Sequence, residues 1–155
     1  MPQVHDDEEV ARLLFFPQMV DHSGGQLKQT VFPMDELLAN KNKRGVSVDR
    51  CGMLKDYETL LHSKAHENAN PEGGRHPYGY CLGKVKHIRS IKIEYDGAKQ
   101  AFEIFSDPIL DNNPSREWDH AHALIVRFSD IYTRGLLRGF RDRLIEVFSS
   151  SVKRF

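Results

Sequence analysis

Two histidines two positions apart, His120 and His122, are the residues whose types and spacing most directly suggest chemistry. If the apolar run after them is a β-strand, alternate residues share a face, and both imidazoles extend the core-facing row of Leu124 and Val126. An imidazole can exchange a proton near neutral pH or ligate a metal. Ser47, on an earlier predicted strand, adds a hydroxyl. The candidate catalytic residues are therefore His120, His122 and Ser47.

A divalent metal at His120 and His122 is one interpretation of this pair, with His87 or Asp111 as a further ligand. A structural zinc site needs four ligands, and the sequence does not place the others. The chain contains 8 histidines, so one pair at this spacing is expected by chance. We predict no metal site and no cofactor. The alternative is that both rings are hydrogen-bonded groups at the edge of the core.

A predicted β-hairpin brings two more polar residues towards the histidines. The dipeptide Asp96-Gly97 is typical of a two-residue type I′ turn, and alternating strands flank it. Counting outwards from the turn pairs Lys92 with Ala101. The same alternation places His87 and Arg89 on the core-facing side, near the open end of the hairpin.

These polar residues define a predicted ligand-binding side of the sheet. Arg12 lies in the apolar strand predicted from Val10 to Phe16, where a charge needs a partner or an exit to water. The alternative for Arg12 is an edge position from which it reaches solvent. Guanidinium and imidazole groups bind phosphate oxygens through charge-assisted hydrogen bonds. The predicted ligand-binding residues are Arg12, His87, Arg89 and His122.

The first half of the chain loosely resembles one known family. Arg12 on the first strand, a glycine turn, Ser47 on the second strand and Glu58 in the following helix occur in the order found in small bacterial RES-type NAD-consuming toxins. The resemblance covers less than half of the chain, and the Gly-Gly-Arg-Trp-Asn motif of that family is missing. It implies NAD as the ligand, with Arg12, Arg89 and His122 holding the pyrophosphate.

A basic ridge on the predicted C-terminal helix is the leading candidate for a partner surface, because three of its arginines recur at helical spacing. A long loop predicted from Glu67 to Gly79 adds two more contact residues. Lys plus Arg and Asp plus Glu both number 22, so no net charge draws the chain to nucleic acid. We therefore predict a protein partner. The predicted partner-binding residues are Arg134, Arg138, Arg141, Arg75 and Tyr78.

The elements that must position these residues predict an α+β fold. Their order is strand, short helix, strand, helix, long loop, hairpin, strand and long helix, which is not the regular alternation of a doubly wound fold. We predict a mostly antiparallel sheet of about five strands, with a long C-terminal helix and one or two shorter helices on one face. One domain spans residues 1–155, with an acidic tail at 1–9 and a tail at 149–155 that are expected to fray.

Composition favours a cytoplasmic protein. Two cysteines, Cys51 and Cys81, are too few for a secreted disulfide scaffold. The first residues are acidic, unlike a secretory signal, and no apolar run approaches the about 18 residues of a membrane span.

The leading hypothesis is a small accessory or regulatory protein that binds a protein partner, because no complete catalytic set is visible. The alternative is an enzyme or sensor for a small phosphate-bearing ligand. That alternative depends on whether His87, Arg89, His120 and His122 meet in one pocket.

Overall fold

A six-stranded antiparallel sheet is the frame of the fold. The computed structural model describes residues 2–21, 24–38, 45–93, 99–109, 117–128 and 133–155. Its strands are β1 (Glu9–Phe16), β2 (Val46–Arg50), β3 (His76–Lys84), β4 (Lys92–Ile93), β5 (Lys99–Gln100), β6 (Phe102–Ser106), β7 (His122–Arg127) and β8 (Val152–Arg154). The main sheet has the order β6–β7–β2–β1–β3–β8, and β4 and β5 form a separate ribbon.

The helices within these ranges are α1 (Met34–Leu38), α2 (Tyr57–Asn68), α3 (Val85–Arg89) and α4 (Arg134–Ser149). Short 3-10 turns occur at Gln29–Val31, Cys51–Met53 and Glu117–Ala121. Thr133 caps α4, since its hydroxyl accepts a hydrogen bond from the N–H of Leu136. None of the described helices is long and apolar enough to cross a membrane.

Helices cover both faces of the sheet. Tyr57 of α2 packs on Tyr80 of β3, with ring centroids 6.1 Å apart, whereas Phe148 of α4 lies against Gly83 of the same strand. Residues three apart on a strand point to opposite faces, so α2 and α4 lie on opposite sides. The expectation of helices on one face is wrong, but the α+β class, the mainly antiparallel sheet and the C-terminal helix are confirmed.

His120 does not lie on the strand that carries His122. β7 begins at His122, and Glu117–Ala121 forms a 3-10 turn before it. The N–H of Ile109 donates to the carbonyl of Asp119, which ties this turn to the segment after β6. The predicted alternation therefore fails at His120, whose side chain is exposed, whereas His122 is buried.

The hairpin predicted around Asp96-Gly97 is shorter than expected and differs in register. Lys92 pairs with Gln100, one residue away from the predicted partner Ala101. Ala101 instead donates its N–H to the carbonyl of Ile91, where the chain leaves the ribbon to enter β6. The turn itself lies outside the described residues.

His87 and Arg89 lie on α3 rather than on a strand of the hairpin. Val85 and Ile88 are both buried, and their spacing of three residues suits a helical turn. The alternation of the hairpin strands therefore does not extend back to these residues, and the predicted orientation of His87 and Arg89 is wrong.

β3 occupies part of the segment predicted as a loop from Glu67 to Gly79. Pro77 stands opposite Phe15, next to a shift in the β1–β3 register, and such a bulge accommodates a residue without an N–H. Gly79 lacks a Cβ where the main chain of Lys153 in β8 approaches closely. The residues that suggested a loop are therefore those that allow this strand to bend and pair on both sides.

Both chain ends join the sheet, although the sequence predicts that they fray. Gln3 forms a β-bridge with Phe105, and Val4 is buried. At the other end β8 pairs with β3, and the N–H of Phe155 donates to the carbonyl of Tyr78. These hydrogen bonds satisfy main-chain N–H and C=O groups of β6 and β3 that would otherwise be free to pair with another chain.

Candidate functional site

A hydrogen-bonded chain through Ser47, His122 and Asp107 is the centre of the candidate site. β2 and β7 pair with Asp49 opposite His122 and Ser47 opposite Leu124, so Ser47 and His122 share a face of the sheet. Nε2 of His122 lies 3.1 Å from Oγ of Ser47. Its Nδ1 lies 2.7 Å from the main-chain oxygen of Asp107 and 3.3 Å from Oδ2 of the same residue.

The partners of His122 determine where its proton lies. A carbonyl oxygen can only accept, so Nδ1 carries the hydrogen and donates to Asp107. In the neutral ring Nε2 then has a lone pair and accepts from the hydroxyl of Ser47. His122 and Asp107 are also joined through the main chain, since the N–H of Asp107 donates to the carbonyl of His122 at 2.9 Å. This order of donors and acceptors is the one that a general base beside a nucleophile requires.

A cavity of about 390 Å³ lies beside this chain, between β1, β2, β7 and α2, and we call it the β2–β7 cavity. Ser47 is exposed, whereas His122 has only 7% of its surface exposed. The hydroxyl can therefore meet a ligand while the imidazole is shielded from water. The polar residues that line the cavity are Arg12, Ser47, Asp49, Lys64, Asn68, Arg75 and His122.

Arg12 occupies a gap between β1 and β2. These strands pair at Val10–Arg50 and Ala11–Asp49, and beyond that point the guanidinium of Arg12 donates to the carbonyls of Ser47 at 2.9 Å and Val31 at 3.0 Å. Burial lowers the pKa of Arg12, and the carboxylate of Glu36 opposes that shift. The side chain is 11% exposed, and β1 lies between β2 and β3 in the sheet, so the alternative of an edge position for Arg12 is wrong.

Lys64 and Asp49 form an ion pair at the edge of the cavity that the sequence analysis missed. Nζ of Lys64 lies 2.7 Å from Oδ1 and 2.9 Å from Oδ2 of Asp49. Leu61 and Ala65 are the buried residues of α2, and Lys64 lies between them on the same side of the helix. A lysine on the apolar side of a predicted helix was the available signal for a buried acidic partner.

Arg75 contributes a positive charge that has no acidic partner among the residues that the structure describes. Its guanidinium lies over the ring of Phe15, 3.7 Å from the centroid, and it forms no ion pair with any residue that the structure describes. The positive charge of Arg75 also acts to lower the pKa of Arg12, so the two guanidinium groups repel each other. Arg75 was predicted as a partner contact, yet it lines the β2–β7 cavity.

Arg89 and His87 are not part of this site. The guanidinium of Arg89 lies 2.6 Å from Glu103 and 2.6 Å from Asp6. Partial burial acts to lower the pKa of Arg89, but its hydrogen bonds to Asp6 and Glu103 raise it overall. His87 is exposed on α3. Of the predicted ligand-binding and catalytic residues, the cavity brings together Arg12, Ser47 and His122 and leaves out His87, Arg89 and His120.

The predicted basic ridge on α4 is interrupted. Arg134 and Arg138 are exposed, but Arg141 is only 7% exposed. Arg141 lies four residues after Leu137 and three before Leu144, both fully buried, so helical geometry turns it towards the core. Arg141 therefore contributes little to the exposed surface of α4 on which Arg134 and Arg138 lie, and the role of these arginines in binding a partner stays a prediction.

Tyr78, another predicted partner contact, lies at two larger depressions of about 620 and 660 Å³. Both are also lined by Gly24, Gly25 and Arg154, and the guanidinium of Arg154 lies 5.1 Å from the Tyr78 ring centroid. Among the described residues that line them, no hydroxyl is hydrogen-bonded to an imidazole. The smaller β2–β7 cavity is therefore the better candidate for chemistry.

Within the described ranges, no three or more His, Cys, Asp or Glu side chains form a group that could hold a metal ion. His120 and His122 lie on different elements, and both ring nitrogens of His122 already have protein partners. A different pair, His62 and His66, is one turn apart on α2 and brings its Nε2 atoms to 2.8 Å.

Comparison of the chain with protein-family models, with curated proteins and with solved structures gives no match in any of the three.

Proposed function

We propose that the protein binds a small phosphate-bearing ligand in the β2–β7 cavity. The observation that carries this proposal is the guanidinium of Arg75, which lines the cavity without an acidic partner among the described residues. Three cationic side chains line the cavity, Arg12, Lys64 and Arg75, against one carboxylate, Asp49. Because that carboxylate is bound to Lys64 and Glu36 lies 3.7 Å from the guanidinium of Arg12, the surplus positive charge lies on Arg75.

A bound anion would relieve the repulsion between Arg12 and Arg75. Guanidinium groups offer several N–H donors in one plane, which suits the oxygens of a phosphate group. Arg12 already donates to two carbonyls, so Arg75 is the main phosphate-binding residue, and Ser47 and His122 contact the rest of the ligand. A volume of about 390 Å³ suits a small molecule, since ligand pockets usually measure about 300–1,000 Å³.

Thermal unfolding and titration calorimetry with inorganic phosphate, pyrophosphate, AMP and NAD test this proposal. At least one of these probes should raise Tm and bind to the unmodified chain. Arg75→Ala should weaken that binding about 10- to 100-fold, since a charge-assisted hydrogen bond contributes roughly 1.5–3 kcal/mol.

Arg138→Ala is the matched control, because it removes the same charge from an exposed position on α4 that does not line the cavity. It should bind like the unmodified chain. If no probe binds, or if both variants weaken binding equally, the proposal fails.

A protein partner is the second candidate function, as the sequence alone favoured. Leu136 has 39% of its surface exposed on α4, and the exposed Arg143 lies seven residues later, on the same side of the helix. An exposed apolar side chain beside an arginine suits an acidic, amphipathic partner segment. A partner recovered by pull-down that is lost with Leu136→Asp and kept with Arg75→Ala would favour this function over the ligand.

A further inference from the structure

We infer that Ser47 is a nucleophile and His122 its general base, and that the β2–β7 cavity hydrolyses a carboxylic ester that carries a phosphate group. The phosphate part of this inference rests on the proposed function, whereas the reactivity of Ser47 rests on the hydrogen-bonded chain alone. Asp107 is a positioning residue, since it acts on the ring of His122 rather than on the ligand.

The arrangement around Ser47 differs from that of other serines. The hydroxyl of Ser90 donates to the carbonyl of His87 and that of Ser149 to the carbonyl of Ile145. A main-chain carbonyl cannot take up a proton, so those hydroxyls stay unreactive. Ser47 is the one described serine whose hydroxyl is hydrogen-bonded to an imidazole nitrogen, and that nitrogen is the unprotonated one.

Asp107 holds His122 in the orientation that the reaction needs. Two hydrogen bonds join the residues, from Nδ1 of His122 to the carbonyl of Asp107 and from the N–H of Asp107 to the carbonyl of His122. The carboxylate, 3.3 Å from Nδ1, would stabilise the positive ring that forms when Nε2 takes a proton. Both the orientation and the charge therefore favour proton transfer from Ser47.

In the first step, Oγ of Ser47 attacks the carbonyl carbon of the ester while its proton passes to Nε2 of His122. The bond from that carbon to the alcohol oxygen breaks, and the leaving alcohol takes the proton from Nε2. In the second step, water attacks the acyl carbon and gives a proton to Nε2, which returns it to Ser47 as the carboxylic acid leaves. One ester and one water yield one acid and one alcohol, and no oxidant or metal is needed.

Arg75 and Ser47 line the same cavity, so a phosphate at Arg75 can position the ester at the hydroxyl. Negative charge develops on the carbonyl oxygen of the ester in the transition state, and the nearby cationic side chains of the cavity stabilise it. The chemical class is therefore an acyl ester of modest size with a phosphate group on either its acyl or its alcohol part.

An uncharged alkyl fluorophosphonate tests the reactivity of Ser47 without using the phosphate interaction. Oγ of Ser47 bonds to phosphorus, fluoride leaves, and the proton passes through Nε2 of His122 to solvent. Peptide mapping of the intact chain should place the adduct on Ser47. Ser47→Ala should abolish labelling and His122→Gln should slow it about 100-fold or more, as expected for loss of a general base. Ser90→Ala, the matched control, should label like the unmodified chain.

Asp107→Asn separates positioning from a merely structural role. It keeps the main-chain acceptor of Nδ1 but removes the carboxylate that stabilises the protonated ring. Asp107→Asn should slow labelling about 10-fold or more, because the ring of His122 that takes the proton loses its stabilising carboxylate. Asp107→Glu, which restores a carboxylate, should recover most of the rate. The comparison of these two variants also tests the inference if His122→Gln proves unfolded by circular dichroism.

The two proposals fail in different ways. Phosphate binding without labelling of Ser47, or labelling that is equally fast in a folded His122→Gln variant, overturns the nucleophile and leaves the binding site in place. Labelling of Ser47 without binding of any phosphate probe overturns the proposed function and the phosphate part of the substrate class. A labelling rate unchanged in Asp107→Asn, or a loss that Asp107→Glu does not recover, overturns the role of its carboxylate.

Discussion

At the residue scale, the ion pair between Lys64 and Asp49 neutralises one of the positive charges at the cavity, so that charge is not available to a ligand. The side chain of Lys64 is 12% exposed and that of Asp49 is 3% exposed. Removing one partner of such a pair leaves a buried charge without compensation, whereas replacing both with apolar groups is often neutral. The two charges therefore cancel at the cavity, and each partner keeps the other from being buried as an isolated charge.

Asp49→Ala is expected to lower the free energy of unfolding by about 3 kcal/mol, because it leaves the ammonium of Lys64 unpaired beside the core. Urea denaturation followed by circular dichroism measures this change. The double variant Asp49→Leu with Lys64→Met should recover most of the loss. A single variant as stable as the unmodified chain would show that water in the cavity already solvates Lys64.

At the residue scale, three of the residues predicted from the sequence line the β2–β7 cavity. Arg12, Ser47 and His122 were predicted as ligand-binding or catalytic groups because each is polar within or beside an apolar strand. Asp107 was missed, since it follows β6 in a turn and its contact with His122 uses the main chain. Periodicity shows which face a side chain takes, but not which main-chain groups lie next to it.

At the scale of elements, β1, β2 and the C-terminal helix could be predicted because each has one dominant apolar period. β3 could not, because Pro77 and Gly79 are typical of loops and their roles depend on a bulge against β1 and on the approach of β8. α3 could not be separated from the hairpin, since five residues carry too little periodicity to distinguish a helical turn from a strand. Where an element depends on its neighbours, local pattern is not enough.

Two glycine substitutions in the packing of α4 should act in opposite directions. A Cβ at Gly83 would lie 2.6 Å from the ring of Phe148, so Gly83→Ala should destabilise the fold by about 1–3 kcal/mol through overpacking. A Cβ at Gly139, inside α4, would meet nothing within 4 Å, so Gly139→Ala should stabilise the fold by about 0.5–1 kcal/mol. Denaturation midpoints of the two variants measure both effects, and a shift in the same direction would contradict this account of the packing.

At the scale of the whole molecule, the sheet order determines the site. β2 lies between β1 and β7, and only this order brings Ser47, His122 and Arg12 to one cavity. The sequence indicated an antiparallel sheet but not its strand order, because short antiparallel strands pair equally well in many arrangements. His87 and Arg89 were placed beside the histidines because the alternation of the hairpin was extended back to them, whereas α3 holds Arg89 against Glu103 and Asp6.

The chain ends offer a test of the whole sheet. The N–H of Val4 donates to the carbonyl of Ile104, and that of Phe155 to the carbonyl of Tyr78, both at 3.0 Å. Hydrogen–deuterium exchange should therefore show slowed exchange at these two amides relative to an unfolded chain. Exchange of both amides at the unfolded rate would support the fraying that the sequence suggested.

The bond between His122 and Ser47 joins residues 75 positions apart, and this separation has a consequence for folding. Contacts distant in sequence require the closure of a long loop, which delays them relative to helices and hairpins. The hydrogen bond between Ser47 and His122 therefore cannot form until β7 has paired with β2. The labelling rate of Ser47 by a fluorophosphonate, followed during refolding, would therefore report when the sheet is complete. A chain that has formed only its local structure has the hydroxyl of Ser47, but the imidazole of His122 is not yet beside it.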